Sequence, residues 1–148
     1  MHNIYCSIIS FGVELTYFCL ISDHDDMILG RTKGNVVDVF PKAFMGFINL
    51  SGPRNCNVYF HMDSIAIYEI FDRWCHDRDV YKASIKNEEW FKMDQKLIHS
   101  MFAAHINSDH VLMVEAERIC RGFMSKDVVK RDLVVNKIDR LPNNDKPA

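Results

Sequence analysis

The sequence predicts an α/β domain in which helices cover a mixed sheet, and three observations carry that expectation. Residues 3–32 contain three β-branched and aromatic stretches separated by turn clusters. The hydrophobic period then changes at Asn35 from that of strands to that of a helix, and a helix, strand, helix order follows. A leading meander has a face to cover, and helices placed after it supply the cover.

Residues 3–10 (NIYCSIIS) and 13–22 (VELTYFCLIS) read as two strands broken at Phe11-Gly12, with the polar SDHDD after the second as a hairpin tip. Residues 27–32 (MILGRT) return as a third strand. From 36 to 50, VVDVFPKAFMGFINL is apolar on more than one face and stops at the turn cluster SGPRN, which predicts a buried helix from Asp38 to Leu50. Pro41 sets that start, because proline is accepted in the first turn and costs about 3 kcal/mol further in. Residues 56–63 (CNVYFHMD) form the best strand of the chain and run into a helix with Ile67, Ile70, Phe71 and Trp74 at helical spacing. A strand reached through a crossover helix pairs in parallel.

Residues 75–85 are polar and irregular, after which Trp90, Met93, Leu97 and Met101 lie along one helical stripe, interrupted at 103–109 (AAHINSD). A last helix is expected over 108–123, with Ser108 or Asp109 as N-cap and Gly122 as C-cap. Residues 124–141 fit either a further amphipathic helix or an added strand.

A chain of 148 residues, 48% of them apolar, suits one domain with one core. The expected organisation is a domain over 1–125 and a C-terminal extension over 126–148 whose end, LPNNDKPA, has the composition of a frayed tail. The formal charge of −2 excludes the broad basic surface of avid nucleic-acid binders, so any phosphate contact must be a local patch. Cysteines at 6, 19, 56, 75 and 120 are odd in number, widely spaced and without a C-x-x-C pair, which reads as reduced thiols of an intracellular, cytoplasmic protein. The apolar first 21 residues carry Glu14 and no basic leader, so strands explain them better than a signal peptide or a membrane span.

Short words along this frame carry a resemblance. Asn35 is followed three positions on by Asp38; Met62-Asp63-Ser64 ends the fourth strand; Lys86-Asn87 precedes Trp90; and His105-Ile106-Asn107-Ser108-Asp109 opens the last helix. Over roughly residues 3 to 121 the chain resembles the ribonuclease H type I superfamily. That resemblance implies a mixed sheet with three antiparallel strands and a fourth parallel to the first, and an Mg or Mn site built from Asp38, Asp63 and Asp109. It departs from the family at the first strand, Ile4-Tyr5-Cys6-Ser7-Ile8-Ile9-Ser10, which lacks the family's metal-binding aspartate, at Asp38, where a glutamate is usual, and at a fifth strand compressed with its loop into residues 99–107 (HSMFAAHIN). Glu14 and Asp23 are other positions from which the absent carboxylate could come.

Two-metal phosphodiester hydrolysis needs carboxylates that hold two ions about 3.5–4 Å apart. Without a carboxylate from the central strand no ligand bridges them, and catalysis depends steeply on that spacing. Each of the three acids also has a helix-capping reading worth about 1 kcal/mol. Asp63 is favoured as a site residue, because it ends a buried strand where open α/β sheets place ligands. If it stood beside Asp38 and Asp109 with no compensating cation, its loss would cost the metal-free fold nothing. No H-E-x-x-H, G-x-S-x-G, G-x-G-x-x-G or P-loop pattern occurs. An acidic hairpin tip such as Asp23, His24, Asp25 and Asp26 is read first as solvated surface, with a cation site as the minor reading.

The implied function is a divergent, catalytically impaired ribonuclease H-like protein that binds RNA, an RNA–DNA hybrid or a protein partner. The alternative is an active metal-dependent nuclease with a rearranged carboxylate cluster. The expected nucleic-acid surface lies above the fourth strand, where Lys33, Asn35, Asn57 and Ser64 would contact the sugar-phosphate backbone.

Overall fold

A computed structural model describes residues 2–77 and 87–138, with side chains described as far as Val128. The elements are β1 (His2–Phe11), β2 (Leu15–Ser22), β3 (Met27–Lys33), α1 (Val36–Ser51), β4 (Asn55–Phe60), α2 (Ile65–His76), α3 (Glu88–Lys96), β5 (Met101–Ile106) and α4 (Val111–Ile138), with a 3-10 turn over Met62–Ser64. Most of the irregular segment expected at 75–85, and the tail from 141, lie outside the described residues.

The strand order is β3-β2-β1-β4-β5. β1 pairs antiparallel with β2, and β2 with β3, while β1 pairs parallel with β4, and β4 with β5. This five-stranded mixed sheet with helices on both faces is the ribonuclease H-like fold that the resemblance implies. Its middle strand, β1, buries Ile4 through Ile8 without alternation, as a strand covered on both faces should.

On one face, Ile4, Cys6, Ile8, Leu20, Val58 and Phe60 meet α1, α2 and α3 through Phe40, Phe44, Phe71, Trp74 and Trp90. On the other, Tyr5, Tyr17, Cys19 and Ile21 pack against Met113, Ala116 and Cys120 of α4. Among the described residues, no helix is long and apolar enough to cross a membrane.

Four local expectations are corrected. The first helix begins at Val36, two residues before Asp38, because Asn35 is the cap and accepts from Asp38 N at 3.0 Å. Pro41 therefore sits in the second turn. The missing N–H at 41 would have bonded the carbonyl of Val37, four residues back, and Trp90 Nε1 of α3 donates to that carbonyl at 2.7 Å instead.

Met101 leaves the helical stripe and starts β5, since Leu97 caps α3 and the chain turns at Ser100 to pair with β4. Gly122 is no cap: α4 continues through it to Ile138, which also resolves 124–138 as helix. Asp127 is 2% exposed and holds α4 to the sheet, accepting from Tyr17 Oη at 2.6 Å and lying 2.6 Å from Arg31 Nε. The start of α4 is also moved, to Val111, because Asn107 Oδ1 accepts from Asp109 N and His110 N and fixes the preceding turn.

Candidate functional site

β4 ends at Phe60, in register with Cys6 midway along parallel β1, and the chain leaves β4 through His61 into the 3-10 turn Met62–Ser64 beside the continuing β1. Two bonds tie the β5–α4 loop to this end, Asn107 N to Phe60 O at 3.1 Å and Met62 N to Ser108 Oγ at 3.1 Å. The turn is held by Asp63 N donating to His61 Nδ1 at 3.1 Å, which places the proton of a neutral imidazole on Nε2. It is also held by Ser64 Oγ, which reaches Ile8 O at 3.3 Å.

His61, Asp63 and Glu117 offer ligand atoms that lie within 4.8 Å of one another. Glu117 enters from α4, one position past buried Ala116, on the side of the helix that faces β1. Ser7 of β1 donates to Glu117 Oε1 at 3.1 Å. Arg121, one turn further along α4, donates through Nε to Glu117 Oε2 at 3.1 Å and through Nη2 to Asp63 Oδ2 at 3.2 Å. His61 Nδ1 is 3.5 Å from Asp63 Oδ2, and its Nε2 is 3.9 Å from Glu117 Oε2. A cleft of about 220 Å³ opens beside them, lined also by Ile8, Val36, Ser64 and Ile67.

Asp63 stands in this cluster and is exposed. Asp38 and Asp109 are in neither of the metal-sized ligand groups formed by the described residues. Asp38 accepts from Asn87 Nδ2 at 2.6 Å, while Asn87 Oδ1 caps α3 through Glu89 N and Trp90 N, so this acid joins two helices. It also lines a second cleft, of about 420 Å³, with Val13, Glu14, Lys33, Gly34 and Asn35. Asp109 is exposed on the loop before α4.

Of the expected backbone-contacting residues, Lys33 and Asn35 are exposed on the second cleft. Asn57 spans strands, donating to Asn3 Oδ1 at 3.1 Å and lying 2.9 Å from His105 Nε2 through its Oδ1. Ser64 is 7% exposed.

Sequence reasoning did not reach Ser7, His61, Glu117 or Arg121. A usable signal was present in the last helix, where Glu117 and Arg121 are four apart and Glu117 adjoins the apolar Met113–Ala116–Cys120 stripe.

Two magnesium ions do not fit these residues. The mixed imidazole and carboxylate set is not the all-oxygen environment that ion prefers, β1 contributes a hydroxyl where a bridging carboxylate is needed, and a guanidinium already pairs with both carboxylates. Asp63 thus has a compensating cation within the chain, the Arg121 guanidinium.

No protein-family model and no curated protein matches the chain. Among solved structures it is similar to the N-terminal RNase H domain of a Mycobacterium tuberculosis protein, solved as a fusion with maltose binding protein, at 12% identity and a TM-score of 0.49 over 82% of this chain and 96% of that one. It is also similar to RNase H1 from the halophilic archaeon Halobacterium salinarum, at 9% identity and a TM-score of 0.45 over 80% of this chain and 92% of that one. The fold assignment rests on the strand order and the parallel crossovers.

Proposed function

We propose that this chain is a ribonuclease H-like binding module that holds nucleic acid, RNA or an RNA–DNA hybrid, without cutting it. The observation that carries this reading is Arg121, which pairs with both carboxylates at the carboxyl end of β4, at 3.1 and 3.2 Å. A guanidinium in that position supplies the positive charge that a divalent ion would otherwise bring, and it cannot activate water as a bound metal does. Ser7 completes the same picture, because it satisfies Glu117 by donating a hydrogen bond and offers no negative charge to hold an ion.

The topology supports nucleic acid as the partner class. Contacts come from the exposed Lys33 and Asn35 on one side of the α1 start, and from the outward N–H groups of Arg121 on the other. Asp38 then serves the architecture, joining the start of α1 to the start of α3. The test is cleavage of a labelled RNA–DNA hybrid in Mg²⁺ or Mn²⁺ by the parent and by Asp63→Asn. Intact hybrid in both is expected. Cleavage by the parent that vanishes in Asp63→Asn overturns the reading in favour of a nuclease that uses a rearranged cluster.

A further inference from the structure

The opposite end of β1 carries a second group of convergent ligands. His2, at the first position of β1, lies in register with Cys56 at the start of β4, five residues and about 16 Å of strand from Ser7. Across the β1–β2 pairing, the turn after Ser22 brings Asp23 and His24 against it. One ligand atom from each of His2, Asp23 and His24 lies within 4.8 Å of the others.

The group is held in place by its surroundings. Asp23 N donates to Asn3 O at 3.1 Å, and the Asp23 carboxylate accepts from Asn3 N at 3.1 Å and from Asn3 Nδ2 at 2.7 Å. Those two bonds use one lone pair on each oxygen and leave the others directed outward. The buried Ser22 hydroxyl accepts from His24 N at 3.1 Å and Asp26 N at 3.3 Å, which sets the backbone under His24. The His2 and His24 rings stack with centroids 3.8 Å apart and planes 18° apart. Independently, His2 Nδ1 is buried with no hydrogen-bond partner among the described residues, and a buried polar atom without a partner calls for one.

We propose that His2, Asp23 and His24 bind a divalent transition-metal ion of the zinc type, which clips the start of β1 to the β2–β3 turn. Two imidazole nitrogens and a carboxylate oxygen suit zinc and its neighbours and disfavour magnesium or calcium. Around a tetrahedral zinc with bonds of about 2.0–2.2 Å, ligand atoms lie roughly 3.4 Å apart, and the two rings, stacked in the ion-free chain, would swing apart to aim their in-plane lone pairs at the ion. The Asn3 amides play the part of the outer partners that orient ligating carboxylates. The side chains of His24 and Asp23 are 53% and 30% exposed, so the fourth position faces water. The four buried thiols do not compete: burial pushes Cys6, Cys19, Cys56 and Cys120 up, Cys19 and Cys56 to about 12, and the thiolate is the ligating form.

This site is independent of the nucleic-acid reading, and its test uses no activity. The full chain, freed of metal, is titrated with Zn²⁺ by calorimetry and with Co²⁺ by absorption. One saturable site is expected, weakened at least tenfold in His24→Ala, in His2→Ala and in Asp23→Asn, unchanged in Asp63→Asn and Glu117→Gln, with a Co²⁺ spectrum free of thiolate charge transfer. The proposal is overturned by absence of saturable binding up to millimolar Zn²⁺, by affinity that the first three substitutions leave intact, by loss in Asp63→Asn instead, or by a thiolate band.

Discussion

Replacing Trp90 with Phe probes how α1 tolerates a proline in its second turn. Trp90 is fully buried, and its indole N–H fills the place of the N–H that Pro41 lacks by donating to Val37 O at 2.7 Å. Phenylalanine keeps most of the packing against Phe40 but removes that donor. An orphaned carbonyl costs about 1–3 kcal/mol, and with the space left by the smaller ring the loss should total about 2–4 kcal/mol. At this chain length that lowers Tm by about 4–16 °C.

The decisive comparison is a double-mutant cycle with Pro41→Ala, followed by urea unfolding. Alanine at 41 restores a backbone N–H directed at Val37 O, so the cost of Trp90→Phe should fall by at least about 1 kcal/mol in that background. Additivity of the two substitutions to within about 0.5 kcal/mol would refute the compensation.

Asp127→Ala removes the buried carboxylate that accepts from Tyr17 Oη and pairs with the part-exposed Arg31, and should cost about 1–3 kcal/mol in urea unfolding; a change below about 0.5 kcal/mol would detach this part of α4 from the fold. Because burial raises the Cys19, Cys56 and Cys120 thiols, to about 12, 12 and 11, the unfolded chain loses these protons first as pH rises. Stability should therefore fall progressively from about pH 8.5, the ordinary thiol value, upward. Native protein at pH 7 should lose only Cys75 to an alkylating reagent, as read by mass spectrometry. Arg121→Ala should lower stability by no more than about 1 kcal/mol, since the pair is half-exposed. It should also create a Mn²⁺-dependent rise in Tm that the parent lacks, and an equal Mn²⁺ response in both proteins would contradict the role given to the guanidinium.

The sheet and its connections were legible because strands and helices repeat their apolar residues with different periods. The β4 run Cys56, Val58, Phe60 and the α2 run Ile67, Phe71, Trp74 both point at one core. Boundaries failed where a distant residue decided them. Pro41 argued for a late helix start, and only Trp90, 49 positions away, makes the early one tolerable. Gly122 has the composition of a helix end, yet the ties of Asp127 to Tyr17 and Arg31 carry the helix past it.

The site was half legible. Asp63 announced itself from the strand expected over 56–63, although that strand ends at Phe60 and His61, which accepts from Asp63 N, turns the chain into the 3-10 turn that carries Asp63. Glu117 and Arg121 look like an ordinary solvated pair on a helix until β1 and the 3-10 turn are folded against them, and Ser7 carries no signal in a strand read for its missing acid.

The central claim, binding without cutting at a site that carries its own cation, is tested most directly by fluorescence anisotropy of a labelled RNA–DNA hybrid at low salt, in EDTA and in Mn²⁺, with each sample then run on a denaturing gel. The expected result is the same affinity with and without metal, a shallow salt dependence of about one to three released counterions, and an uncut hybrid. A hybrid that is bound only in Mn²⁺, is cut there, or is not bound at all would contradict it.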